Sequence, residues 1–237
     1  MTVIAPPLPV VFIPALLCDE ALYRDTIAAL GQTIAPQVLI SPQPRLEDSV
    51  ADILAQAPAH FALAGTSYGG NLAMEVALAA PQRVTALWLM GCDPAAPQAG
   101  GPDLAGGLEE TPDAIIDMLA GLVVHPEAVA EAAAFKAMAR RVGGKAGAAQ
   151  ARALAARRDA VSRLGALTMS TLVLWGERDA LVPLATGRHL AAALPNARFE
   201  VLTNCGHLPT LEKPSEAAAL FARLVNGLEA AGNQRRL

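Results

Sequence analysis

The chain has little cysteine, no long apolar run and no basic block. Its three cysteines among 237 residues are an odd number without Cys-x-x-Cys spacing, which argues against a disulfide framework and against a zinc site. Cys18, Cys92 and Cys205 therefore read as free thiols of a reducing compartment. The apolar runs, Val10 to Ile13 and Thr85 to Met90, fall far short of the ~20 residues that a bilayer-spanning helix needs. Met1 to Pro9 has neither a basic start nor an extended apolar segment, so no signal peptide is expected and a cytoplasmic protein is. Apart from Arg140-Arg141, Arg157-Arg158 and Arg235-Arg236, the 18 Lys and Arg are dispersed, and 22 Asp and Glu leave a net charge of −4. Neither nucleic acid nor a membrane is an expected partner.

What the chain has instead is alanine and a rhythm. Hydrophobic residues make up 53%, much of it alanine, and the length suits one domain with an adequate core and a large insertion. Leu8 to Ile13 reads as a strand, followed by a loop and a helix from about Glu20 to Leu30. Val38 to Ile40 reads as a second strand, closed by Ser41-Pro42-Gln43-Pro44, and Leu46 to Gln56 as a helix. Strands at Phe61 to Ala64 and Val84 to Met90 bracket a helix that starts at Tyr68. Short strands alternating with helices imply parallel pairing through right-handed crossovers, and a sheet covered on both faces.

The rhythm breaks from Pro94 to about Gly165, where no strand candidate occurs. Pro97 to Gly107 is rich in glycine and proline and reads as loop. Helices are expected at Thr111 to Leu119, with Thr111 as N-cap and Pro112 at the first helical position, at Pro126 to Arg141 and at Ala146 to Arg158. The alternation then resumes: strand Thr171 to Trp175, helix Leu184 to Leu194, strand Arg198 to Leu202, helix Ser215 to Leu228, and a polar tail from Gly232. The expected fold is α/β, a mostly parallel sheet of about six strands flanked by helices. Residues 1–93 and 166–237 form its core, and residues 94–165 an inserted helical cap over the sheet edge.

The most informative stretch is Gly65-Thr66-Ser67-Tyr68-Gly69. It joins a buried strand to a helix with no room for a loop, so Ser67 stands at the tip of a cramped turn. Gly65 and Gly69 leave out the Cβ atoms that would collide with the adjoining strand or helix. The turn presents a hydroxyl at the end of the sheet, beside the Tyr68 amide at a helix N-terminus, which can stabilise negative charge.

A serine hydroxyl needs a base, and the base an orienting acid. Loops at the C-terminal ends of parallel strands open on one edge, so both partners should follow strands. Of the four histidines, His60 opens its strand, His189 lies in a helix and His125 in the insertion. His207 alone follows a strand and is the base. Asp179, after the fifth strand, is preferred as the acid over Asp93, whose place beside Pro94 suits a turn. Glu177 reads as a solvated loop residue. The second oxyanion donor should come from the loop after the first strand; Pro14 has no N–H, so the Leu16 amide is the candidate and Leu17 the alternative. Gly143-Gly144-Lys145-Ala146 lacks the earlier glycine and the Ser/Thr of a phosphate loop. Arg157-Arg158 could bind a substrate carboxylate, though a solvated helix face accounts for them more simply. The three cysteines read as small apolar groups at the active edge.

Three separated motifs, Gly-Thr-Ser-Tyr-Gly-Gly, Leu-Trp-Gly-Glu-Arg-Asp-Ala-Leu-Val-Pro and Asn-Cys-Gly-His-Leu-Pro-Thr-Leu-Glu-Lys-Pro, occur in an order that resembles the α/β-hydrolase superfamily. The resemblance covers Leu8 to Leu228 and is least specific in the cap. It implies Ser67 as nucleophile, Asp179 as acid, His207 as base and an oxyanion hole from the Leu16 and Tyr68 amides. Family members commonly carry His-Gly after the first strand, where this chain has Pro14-Ala15, and the first two strands of the larger fold are missing.

The resulting expectation is a serine hydrolase, a carboxylesterase, that cleaves a small-molecule carboxylic ester through an acyl-enzyme on Ser67, without metal or organic cofactor. Alternatives on the same fold are carbon–carbon bond hydrolysis, thioester cleavage, perhydrolysis, acyl transfer, or a ligand-binding receptor with little turnover. A dehalogenase would need a carboxylate where Ser67 stands. The sequence leaves a monomer or homodimer equally open.

Overall fold

A computed structural model of the chain describes residues 6–98 and 100–234. Six parallel strands form one sheet in the order β2-β1-β3-β4-β5-β6. They are β1 Leu8–Ile13, β2 Ile34–Val38, β3 Phe61–Thr66, β4 Val84–Met90, β5 Ser170–Gly176 and β6 Ala197–Leu202. The second strand lies about one turn of sequence earlier than the apolar run Val38-Leu39-Ile40 suggested. β2 contains Pro36 yet pairs on one side only, with β1, and an edge strand tolerates a residue that cannot donate.

Helices cover both faces. On one face α1 (Arg24–Leu30) and α10 (Pro214–Gln234) pack together with Val10, Phe12, Ala62, Ala64 and Trp88 of the sheet. Trp88 is fully buried and stacks on Phe221 with ring centroids 4.6 Å apart. A buried aromatic of that size contributes roughly 3 kcal/mol through area alone. The opposite side chains, Val11, Ile13, Leu63, Leu87 and Leu89, meet α2 (Leu46–Gln56) and α3 (Tyr68–Ala79), while Val173 and Trp175 of β5 meet α8 (Leu184–Ala193). Residues one apart thus go to opposite faces, the period-two pattern of a doubly covered sheet. α10 continues to Gln234, past the expected end at Leu228, and the rest of the polar tail lies outside the described residues.

Between β4 and β5 the chain forms α4 (Leu104–Glu110), α5 (Pro112–Ala120), α6 (Val129–Val142) and α7 (Gly144–Ala155). α4 replaces an expected loop. Asp103 caps it, accepting from the Gly106 N–H at 2.9 Å, and at Gly107 a Cβ would press on the Ile115 side chain. The glycines that lower its helix propensity are therefore what let it pack. Thr111 stands at the N-cap of α5, but its hydroxyl donates to the Gly107 carbonyl instead of capping. Gly143 has φ +81° in the α6–α7 turn, and a Cβ at Gly144 would overlap the Leu108 carbonyl. The Gly-Gly-Lys stretch is a tight helix junction.

β1 and β3 are neighbours whose connections leave in opposite directions, one to β2 and the other to β4. That makes their C-terminal ends the switch point where a crevice opens in a doubly wound sheet. The loop after β1 and the turn carrying Ser67 meet there. Among the described residues no helix is long and apolar enough to cross a membrane.

Candidate active site

Ser67 sits between β3 and α3 with φ 54° and ψ −117°, a left-handed conformation that costs a non-glycine residue about 1–2 kcal/mol. The surrounding backbone holds it there. Its N–H donates to the Met90 carbonyl at 2.7 Å, and its carbonyl accepts from the Asn71 N–H at 3.0 Å. A Cβ at Gly65 would overlap the Gly69 carbonyl, and one at Gly69 would overlap the carbonyls of Ile13 and Pro14. The strand and helix approach as closely as glycine permits, and Ser67 is left half-buried at the tip.

His207 is 2% exposed, and its Nδ1 lies 2.7 Å from Asp179 Oδ2. The other carboxylate oxygen, Oδ1, accepts from the Leu181 and Val182 N–H groups, both at 2.9 Å. With Nδ1 committed to a carboxylate, the ring carries its proton there and turns a free lone pair outward on Nε2. Nε2 is buried and has no hydrogen-bond partner among the described residues, the Ser67 hydroxyl included. Ser67 and His207 nevertheless flank the same strand end. Ser67 bonds to Met90, and at the next residue, Gly91 (φ +56°), a Cβ would come within 2.9 Å of His207 Cε1. Hydrogen bonds of this kind are commonly long before substrate arrives.

The loop after β1 turns at Ala15–Cys18, closed by the Cys18 N–H on the Ala15 carbonyl at 3.0 Å. The Leu17 N–H donates to Gln150 Oε1 at 3.1 Å, so the alternative oxyanion donor is already engaged. The N–H groups of Leu16 and Tyr68 have no acceptor among the described residues. The Tyr68 side chain points away into the core, its hydroxyl donating to the Ser41 carbonyl at 3.1 Å.

The other sequence candidates fall elsewhere. Asp93 Oδ1 accepts from the Ala95 N–H, which is the turn role weighed against an acid role. Glu177 is exposed beside Arg178, and His60 and His189 are exposed. Arg157 is partly buried, with Nε donating to the Ala95 carbonyl and Nη1 to the Leu154 carbonyl, both at 3.0 Å, while Arg158 is exposed near Glu47. Both arginines line a cavity of about 630 Å³ along α2 and the far half of α3, away from Ser67. All three thiols are fully buried, and burial pushes each up. Cys92 packs against Gly70 of α3.

One residue that the sequence reading passed over organises the histidine loop. Glu212, at the end of the short helix α9 (Pro209–Glu212), accepts from Gly206 N–H at 2.9 Å, Leu208 N–H at 3.3 Å and His125 N–H at 2.8 Å. It thereby grips both neighbours of His207. The signal was present in Gly206-His207-Leu208-Pro209, since a proline one residue after a turn starts a helix that returns a following carboxylate. Burial pushes the Glu212 carboxyl up, and the three N–H bonds pull it back only part of the way. Glu212→Leu leaves those N–H groups without an acceptor and should lower unfolding free energy by about 3 kcal/mol in urea titrations. A folded pKa above the unfolded one means that stability from this group is fullest below the unfolded value and is lost as pH rises through the folded one. The gap between wild type and variant should therefore widen as pH falls from about 7 to about 4; a narrowing gap would contradict this assignment.

Residues 11–220 match the model of the alpha/beta hydrolase family, and the chain belongs to that family. It is 33% identical over 185 residues to a 2-hydroxy-6-oxononadienedioate/2-hydroxy-6-oxononatrienedioate hydrolase of Cupriavidus pinatubonensis, a match that takes in 68% of this chain and 59% of that protein. The chain thus spans about three fifths of that relative's length. It is 30% identical to a pimeloyl-[acyl-carrier protein] methyl ester esterase of Aromatoleum aromaticum over 78% of this chain and 81% of that one. The fold is shared with the enol-lactonase of Burkholderia xenovorans LB400, with a TM-score of 0.82 at 19% identity over 94% of this chain and 92% of the other.

Proposed function

We propose that the chain is a serine hydrolase that cleaves a small-molecule carboxylic ester through an acyl-enzyme on Ser67. The observation that carries this reading is the buried pair of His207 Nδ1 and Asp179 Oδ2 at 2.7 Å, with the opposite ring nitrogen unpartnered at the strand end that Ser67 shares. His207 Nε2 takes the hydroxyl proton as Ser67 Oγ attacks the ester carbonyl. The imidazolium keeps its Nδ1–H on Asp179, whose carboxylate is fixed by the Leu181 and Val182 N–H groups. The tetrahedral oxyanion is received by the Leu16 and Tyr68 N–H groups, the latter aided by the α3 dipole. Collapse breaks the ester bond, and Nε2 returns the proton to the departing alcohol. The same nitrogen then deprotonates a water that attacks the acyl-enzyme, which releases the acid and restores Ser67. These steps call on no metal or organic cofactor. Helices α4 to α7 act as a cap over the acyl group.

A second reading uses the same side chains for carbon–carbon bond hydrolysis, and the Cupriavidus relative favours it. A 2-hydroxy-6-oxo-dienedioate offers a ketone and no ester, so water can divide it only by breaking a carbon–carbon bond. The pimeloyl methyl ester esterase favours the ester reading and matches over more of both chains. The test is p-nitrophenol release from short and medium acyl esters, together with mass mapping of a fluorophosphonate adduct. Ester turnover with the adduct on Ser67 is expected. Inert esters beside a cleaved 2-hydroxy-6-oxo-dienoate would put the second reading first, and a protein that neither turns over nor labels at Ser67 would overturn both.

A further inference from the structure

We propose that Gln150, on helix α7 of the insertion, is a positioning residue that fixes the oxyanion loop from above, so that the cap sets the geometry of the Leu16 N–H. This rests on the reading of Leu16 as an oxyanion donor. The turn Ala15–Cys18 places Leu17 at φ 62°, where such a turn ordinarily carries glycine. A leucine there is strained and persists only when its surroundings over-determine it. The supporting contact is the Leu17 N–H on Gln150 Oε1 at 3.1 Å, between residues 133 apart in sequence, with Gln150 1% exposed and Leu17 fully buried.

A second contact reinforces the first. One turn earlier on α7, Gly147 admits the Leu17 side chain so closely that a Cβ would overlap its Cδ2. A third ties the far end of the loop to α6: Arg141 forks onto the buried Asp19, with Nε at 2.7 Å from Oδ2 and Nη2 at 3.0 Å from Oδ1. The near end belongs to the core, where the Tyr23 hydroxyl donates to the Ile13 carbonyl at 2.9 Å. Between these anchors the Leu16–Leu17 peptide is the unit with two available orientations. Gln150 selects the strained one by accepting its N–H. Without that acceptor the N–H is a buried orphan, and turning the peptide over relieves both the orphan and the positive φ. That rotation turns the Leu16 carbonyl and releases the loop from the cap, so the adjoining Leu16 N–H is no longer held at one position against the oxyanion.

The test compares Gln150→Leu and Gln150→Glu with wild type. The leucine variant is one heavy atom shorter and removes the acceptor; the glutamate variant keeps an oxygen at the same reach. Gln150→Leu should lose about 30-fold in kcat with KM within about threefold, as expected for an interaction realised at the transition state. Affinity for an arylboronic acid, which forms a tetrahedral adduct on serine, should fall by the same factor. Gln150→Glu should restore most of both. A general loss of stability would not divide kcat from KM in this way. Should Gln150→Leu fail to fold, Gly147→Ala presses on Leu17 while leaving Gln150 in place and should lower kcat about fivefold with KM kept. Wild-type kcat in the leucine or alanine variant, with Ser67 labelled and active, would overturn this proposal alone. An unlabelled, inactive wild type would overturn the functional reading and this proposal with it.

Discussion

Ser67→Ala retains the fold and loses roughly 10⁴-fold or more in kcat for p-nitrophenyl esters. The substitution removes one oxygen from a half-buried turn and leaves the backbone bonds to Met90 and Asn71 in place, so melting temperature should hold. His207→Ala should fall as far, and the double variant no further, because the two side chains act as one unit in moving the same proton. Asp179→Asn should cost roughly 10³–10⁴-fold. The amide can accept from Leu181 and Val182 N–H groups as the carboxylate does, but its nitrogen then faces His207 Nδ1. The ring answers by moving its proton to Nε2, which destroys the lone pair that takes the serine proton. A near-wild-type Asp179→Asn enzyme would remove Asp179 from the mechanism.

The residues to which we assign this chemistry were legible as candidates in the chain because each lies in a loop that directly follows a strand. Order along the sequence becomes position along one sheet edge when every strand is parallel. Elements were misplaced where a local signal opposed a tertiary one. The apolar run from Val38 to Ile40 drew the second strand too late in the chain, whereas the edge position supplies the one-sided pairing that lets a strand hold Pro36. Gly106 and Gly107 argued for loop, yet they admit Asp103 and Ile115 against a helix. Gln150 had no local signal at all. A polar residue in an alanine-rich helix becomes informative only when the fold brings it to Leu17. Glu212 lies between these cases, since its grip on Gly206 and Leu208 is local in sequence and only its bond to His125 is distant.

The largest expected change in stability comes from a single methyl group at Gly69. Gly69→Ala places a Cβ on the carbonyl groups of Ile13 and Pro14, which are backbone atoms at the buried end of β1 with no side-chain torsion to absorb them. Either β1 or α3 must move, and both are buried, the strand within the sheet and the helix against its face. The cost should be about 4 kcal/mol, at the upper end for a point substitution. Gly70→Ala is the internal control. Its Cβ meets Cys92 Cβ at 2.7 Å and Sγ at 2.8 Å; the thiol can rotate away and the Cβ must move with its loop, so the cost should be about 2 kcal/mol, still below that at Gly69. Urea titrations of the two variants separate these cases, and equal midpoints would show that the strand and helix are free to part. The same close approach joins the two N–H groups that we propose as oxyanion donors, since Gly69 follows Tyr68 and Pro14 precedes the Leu16 loop. A folded fraction of Gly69→Ala should therefore lose more affinity, relative to wild type, for an arylboronic acid than for a ground-state substrate, because parting strand from helix also moves the Leu16 loop away from Tyr68.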